Sequence, residues 1–267
     1  MNLDFIPVWI WFVGTIAIIL LSVEAGFALG NRAARSTDEK ESPAAAMGGA
    51  VLGLVAFMLA FTFSIASGRF DTRKELVRED ANAIRTAYLR ADFLVGTEQE
   101  EVKRLLREYV DVRVAFAQTK DLKKLQEFLA TTLDIQRRLW KYAVANGRKD
   151  LNSDIGALFL ESINEVINLH ALRMAVAVEA RIPLGIWITL YALTVLGMMA
   201  MGYQAAIAAS KRSRGSLILA VSFALVITLI AGLDRPDTPF VTVTQKPLID
   251  VQSWLKSTAD HPSDSQQ

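Results

Sequence analysis

The residues best placed to do chemistry lie along one stretch, Met47 to Val95. Phe57, Phe61 and Ile65 recur every four residues, and such side chains gathered from several copies can constrict a pore by excluding water. With Ser64 they form the candidate pore lining or gate. On an adjoining strip, Gly49, Gly53, Ala56, Ala60, Ser64 and Ser67 step by three and four. That spacing keeps them within roughly 80° of helix surface. Small side chains in this pattern let another helix backbone come close. The strip therefore reads either as a packing seam or as helices gathered around an axis. Arg69 and Arg73 follow, one turn apart; at a pore mouth they would concentrate anions, and as interfacial anchors they would pair with Asp71 or Glu75. Glu24 is a carboxylate inside an earlier apolar run, a functional candidate by default. The competing reading is that it reaches the interface and pairs with a basic residue there.

Little else in the chain suggests chemistry. Cysteine is absent and there are two histidines, which excludes disulfides, thiol catalysis and Cys-ligated zinc. No phosphate-binding glycine loop and no ligand constellation of convincing spacing occurs, so neither an enzyme nor a cofactor is expected. Glu161, Glu165 and Asn168 share a helix face but read as a solvated one rather than a metal site. His170 shares a face with Ile163, Ile167, Met174 and Ala177, and reads as a core histidine with a hydrogen-bond partner. With 29 basic and 28 acidic residues, no bulk charge argues for nucleic acid.

These residues must be positioned by helices. The 267 residues are 52% hydrophobic and 21% charged, too apolar for a soluble domain and too charged for a pure membrane bundle. The pattern predicts an all-α membrane protein with four transmembrane helices and a helical extramembrane bundle inserted between spans two and three. Residues 1–68 form a hairpin with spans at about 8–29 and 47–68; the first run lacks a basic n-region and reads as a span, not a signal peptide. The linker NRAARSTDEKESPAAA, with Pro43, is expected to be solvated. The second span should continue unbroken into a charged, periodic helix with a seam at Phe70, Val77, Ala81, Ile84, Tyr88 and Val95. Thr97 and Glu100 have capping-box spacing. The bundle at 69–181 continues with a helix carrying Val102, Leu105, Leu106, Tyr109, Val112 and Phe116. A third places Leu125, Leu129, Leu133, Trp140 and Val144 inside and stops at Gly147, and a fourth runs to about Arg181. Residues 182–234 form a second hairpin with spans at about 184–209 and 216–233. In 235–267 an extended segment near Phe240, a short helix at Pro247 to Leu255 and a disordered tail from Ser257 are expected.

Four spans place both short loops on one side. They hold Arg32, Arg35, Lys40, Lys211, Arg212 and Arg214, so the positive-inside rule puts them in the cytoplasm and the helical domain outside.

The motifs together resemble the bacterial bestrophin-like membrane proteins, almost end to end. The resemblance is carried by EAGFALG (Glu24 to Gly30), LGLVAFMLAFTFSIASGRFDTRKELV (Leu52 to Val77) and EDANAIRTAYLRAD (Glu79 to Asp92). It continues through LLREYVDVR (Leu105 to Arg113), INEVINLHALR (Ile163 to Arg173), ARIPLGIW (Ala180 to Trp187), GYQ (Gly202 to Gln204) and LDRP (Leu233 to Pro236). Arg85 and Asn168 look like departures from the family pattern. Leu59-Ala60-Phe61, then Arg69-Phe70, is similar to the Leu-Gly-Phe and Arg-Trp pattern of bestrophin channels, where that segment lines the neck of a pentameric anion channel. The resemblance implies a homo-oligomer, a pentamer as in the bestrophins, in the bacterial cell membrane, with Phe57 and Phe61 facing a pore for inorganic anions such as chloride. It also implies a cytoplasmic helical region, opposite to the loop charges.

Overall fold

The computed structural model describes residues 7–34, 41–119, 121–179, 181–208, 215–235, 237–238 and 241–260. Arg35, Lys40, Lys211, Arg212, Arg214, Pro236, Phe240 and His261 lie outside the described residues. The described chain is all-α: α1 (Val8–Ala33), α2 (Glu41–Arg90), α3 (Thr97–Gln118), α4 (Leu122–Lys149), α5 (Asp154–Glu179), α6 (Leu184–Ile207), α7 (Gly215–Asp234) and α8 (Lys246–Asp260). Two two-residue strands, β1 (Asp237–Thr238) and β2 (Val241–Thr242), pair antiparallel. Four of the helices, α1, α2, α6 and α7, are long and apolar enough to cross a bilayer.

The helix α2 is a single element of 50 residues. It starts at Glu41 rather than Met47, so Pro43 falls in its first turn instead of in a linker. Proline is tolerated there because the N–H it lacks would have had no intrahelical partner. The chain divides into two compact units, residues 1–71 with 180–242, and 72–179 with 243–267.

In the first unit, one core gathers Val55, Leu59 and Ala66 of α2 with Trp187 and Leu190 of α6 and Ile227 and Ile230 of α7. A smaller core holds Ile19, Met198 and Ala220. The closest helix contact is between α1 and α6. A Cβ on Gly26 would lie 1.9 Å from the Met199 carbonyl oxygen, one on Gly30 2.6 Å from that of Tyr203, and one on Gly202 2.0 Å from that of Val23. Only glycine permits backbones that near. Trp11 stands edge-on to Trp187, with ring centroids 5.1 Å apart, and Thr15 shares a 2.8 Å hydrogen bond with Tyr191.

In the second unit, α2 contributes Leu76, Val77, Ala81, Ile84, Ala87 and Tyr88 to a core completed by α3, α4, α5 and α8. Val95 is 77% exposed, because the helix ends in a short 3₁₀ turn at Ala91–Phe93 and Leu94 takes the buried place. Gly96, at φ 65°, is the N-cap of α3, with no side-chain cap bond. Thr97 is already helical, so the expected capping box does not form. On α3, Val110 and Val114 are buried while Val112 and Phe116 are half-buried. On α4 the apolar arc is wide, and the buried side carries Thr132, Ile135, Gln136, Leu139 and Ala143. Leu133 and Trp140, expected inside, are 47% and 38% exposed. The helix runs through Gly147 to Lys149.

The helix expected at Pro247 to Leu255 is present and runs past Ser257, where disorder was expected. Helix α8 extends to Asp260 and buries Leu248, Val251 and Leu255 in the second core. Trp254 packs edge-on to Tyr88 at 5.6 Å, and the Arg85 guanidinium lies over the Trp254 ring at 4.7 Å. Arg85, the departure from the family pattern, thus has a cation–π partner in α8.

Candidate functional site

The strip along the membrane half of α2 is open. A Cβ on Gly49 or Gly53 would meet nothing within 4 Å, and Ala56, Ala60 and Ser64 are exposed. Phe57 and Phe61 are 66% and 52% exposed. The opposite side of the helix, Val55, Leu59, Thr62 and Ala66, is buried, and a Cβ added to Gly197 of α6 would meet Val51, Leu52 and Val55 at 3.4–3.5 Å. Among the described residues, nothing packs on Gly49 or Gly53. Ile65 does not continue the phenylalanine ladder. Steps of four advance about 40° per turn around the helix, and by Ile65 the drift has carried the side chain against the Val55–Leu190 core.

Arg69 and Arg73 lie on roughly the other side of α2 from the open strip. The Arg69 Nη1 is 3.6 Å from Asp234 Oδ1, and Arg73 is buried. Arg69 thus meets Asp234 within its own unit. The sequence reading missed Asp234 as an organising residue. Its Oδ1 accepts from the Ile182 N–H at 2.9 Å, and its carbonyl oxygen accepts from Arg181 at 2.6 Å. The neighbouring Arg235 guanidinium lies 5.6 Å from the Trp11 ring centroid. Glu24 is exposed on α1.

A second set of charged residues is deep in the second unit. Asp80 of α2 is fully buried, and its Oδ2 accepts from Arg113 of α3 at 3.1 Å and from Arg173 of α5. Arg173 also donates to Gln245 Oε1 at 3.0 Å, just before α8. Tyr109 and Gln136 adjoin, the amide donating to the phenol oxygen at 3.4 Å. Burial, and then the Arg113 charge, lowers the Arg173 pKa. Burial raises that of Tyr109. His170 is buried, and burial with the Arg113 charge holds its pKa down at about 4. The imidazole is therefore neutral near pH 7, and its Nδ1 is buried without a hydrogen-bond partner among the described residues. The Asp80 Oδ1 and Arg113 Nε are likewise buried without one. A signal for this cluster exists in the sequence. Asp80 adjoins the Val77–Ala81–Ile84 seam, Arg113 follows Leu106, Tyr109 and Val110, and Arg173 follows Val166, Leu169 and His170, so each charge falls on an apolar face.

Glu161, Glu165 and Asn168 are exposed. Among the described residues no group of three or more His, Cys, Asp or Glu is arranged to hold a metal.

The profile of the Bestrophin-like domain matches residues 10–248. A solved structure described as "Crystal structure of a membrane protein P262A", in that protein's own numbering, is similar in fold. Its TM-score is 0.58 at 16% sequence identity, and the match covers 89% of this chain and 95% of that one. No curated protein sequence matches. Four membrane-length helices and a domain match over most of the chain lead to one conclusion: this membrane protein belongs to the bestrophin-like family.

Proposed function

We propose that this protein is an oligomeric ion channel in which α2 lines the pore and inorganic anions such as chloride pass. The observation that carries this reading is the open strip. Glycine weakens a helix interior by about 1 kcal/mol relative to alanine, and lipid gives no return for small residues. Gly49, Gly53, Ala56 and Ala60 on an uncovered face are useful where other copies of the helix gather closely around an axis. Phe57, Phe61 and Ser64 would then face the lumen. The anion and the homopentamer rest on family resemblance, because Arg69 and Arg73 turn into their own chain.

Purified protein in planar bilayers under a KCl gradient is expected to give currents reversing toward the chloride potential, with Phe57→Ala and Phe61→Ala changing conductance or selectivity. A monodisperse oligomer that passes no current would sink the reading. We place the protein in the bacterial cell membrane with the short loops cytoplasmic and the helical unit outside, as the loop charges argue. The chain has no cysteine, so a single Asn152→Cys should react with an impermeant maleimide on intact cells; protection until lysis reverses the orientation.

The alternative is a non-conducting membrane protein whose helical unit binds a partner or senses a stimulus. It has one observation of its own, the exposed Leu133 and Trp140 beside a groove of about 840 Å³ that also reaches Asn164 and Ile167. Capture of a specific partner that depends on Trp140, with no conductance, would favour it.

A further inference from the structure

The turn between α3 and α4 is held at one particular end of the second unit. Arg113 of α3 donates to Asp80 of α2, and Arg107 donates to Tyr88, so these two helices run antiparallel. Eight residues back along α2 from Asp80 is Thr72, and eight forward from Arg113 is Asp121. The turn therefore lies level with Thr72, where α2 enters the unit. Arg173 of α5 also donates to Asp80, which brings the last turn of α5 to the same end. Both connections to membrane-length helices leave from there. Thr72 is four residues past Gly68, where the apolar run of α2 stops, about 6 Å along a helix. Leu184, the first residue of α6, is five residues beyond Glu179, at most about 18 Å of chain. This end of the unit is at the bilayer surface.

The residues at the turn suit that depth. Leu122 opens α4 with 76% of its surface exposed, and Lys123 and Lys124 beside it are exposed. Among the described residues neither lysine forms an ion pair. Two cations in the first turn of a helix oppose its dipole. That turn of α4 holds no acidic residue, and the Asp121 carboxylate before it is engaged in accepting from the Lys123 N–H. The lysines therefore gain nothing from their own helix, but they gain from an anion outside it. Past the far end of α4, Leu151, 87% exposed, stands instead between Asp150 and Asp154. We propose that the α3–α4 corner rests on the bilayer in which the protein is embedded. Leu122 enters the boundary between headgroups and acyl chains, and Lys123 and Lys124 hold the phosphates of anionic phospholipids. The contact is the same on either side of the membrane, and it is independent of whether the protein conducts.

The chain has no cysteine, so a fluorophore on Gln118→Cys reports this corner and one on Asn152→Cys reports the opposite end. The full-length protein is reconstituted in phosphatidylglycerol vesicles with bromine near the top of the acyl chains. Bromolipid should quench the label at 118 and leave the label at 152 unquenched. Lys123→Gln and Lys124→Gln should each shift the docked-to-undocked ratio about fivefold toward undocked, the factor one lysine contributes near an anionic surface. Brominated phosphatidylcholine, which needs no further variant, should lower the quenching as the two substitutions together do. Equal quenching at 118 and 152 would overturn the proposal. So would quenching at 118 that is unchanged in phosphatidylcholine. A label at 118 that bromolipid does not reach, but whose emission changes on dilution with unlabelled protein, would report a second copy on the corner and overturn it too.

Discussion

The two halves of α2 set their unusual residues in opposite surroundings. In the membrane half they are the glycines and alanines of the open strip, facing away from the chain's own helices. In the second half the unusual residue is Asp80, fully buried, with arginines from α3 and α5 brought to it. The physics of exposure explains the contrast. A small apolar strip loses little while it faces lipid and can wait for another copy. A carboxylate in a core cannot wait, because an unpaired buried charge costs several kcal/mol. Charged closure must therefore be completed within the protomer, whereas small-residue closure can be left to assembly.

The largest effect should come from breaking the charged closure. Asp80→Asn leaves two guanidiniums without their carboxylate, and a loss of about 3–5 kcal/mol from the second unit is expected. Denaturant unfolding followed by tryptophan emission measures it; a change below about 1 kcal/mol would mean that Asp80 does not hold the unit together.

Acid should act on the same unit, nearly as strongly. The folded-state pKa of His170, about 4, lies below its ordinary 6.5, so the unfolded chain binds the proton more tightly. Stability is fully present above pH 6.5 and falls as pH drops toward 4, by about 3 kcal/mol at 1.36 kcal/mol per unit. Melting curves from pH 7.5 to 4 should show the loss for the wild type and a shallower one for His170→Gln. Equal slopes would remove His170 as the source.

The glycines sharpen the contrast from the membrane side. Gly26→Ala puts a Cβ 1.9 Å from the Met199 carbonyl oxygen, and overpacking of about 1–3 kcal/mol should lower the melting point of the first unit. Gly53→Leu meets open space and should leave protomer stability within about 0.5 kcal/mol. If the strip is the seam of the proposed oligomer, crosslinking of this variant should yield monomer alone. An oligomer unaffected by Gly49→Leu and Gly53→Leu would make the strip a lipid face and end the comparison.

Much of this was legible. The apolar runs and their ends located four spans, the 3.5-residue seam placed Val77, Ala81, Ile84 and Tyr88 inside, and the stepping of Gly49, Gly53, Ala56 and Ala60 put them on one strip. The errors came where periodicity under-determines the face. On α4 the apolar arc is broad enough that Leu133–Trp140 and Ile135–Leu139 are both plausible inner faces, and neighbours chose the second. Spacing gives the one-turn separation of Arg69 and Arg73 but not the pairing of Arg69 with Asp234, which arrives on another helix. The helix expected at Pro247 to Leu255 is α8, but its polar last turn, from Ser257 to Asp260, reads as disordered because it carries no large apolar residue to mark the helix end.

Sequence by itself determined the class of molecule, the helix order and the family, because these follow from hydropathy, period and motif order, all properties of a one-dimensional string. Tertiary structure decided which side of each helix is spent inside. It turned the small-residue strip of α2 outward, gave the close approach of backbones to Gly26, Gly30 and Gly202 instead, and collected Asp80, Arg113 and Arg173 from three helices into one core. Those outcomes depend on which neighbour arrives at which face. A helix of 3.6 residues per turn presents every azimuth, and only packing selects among them.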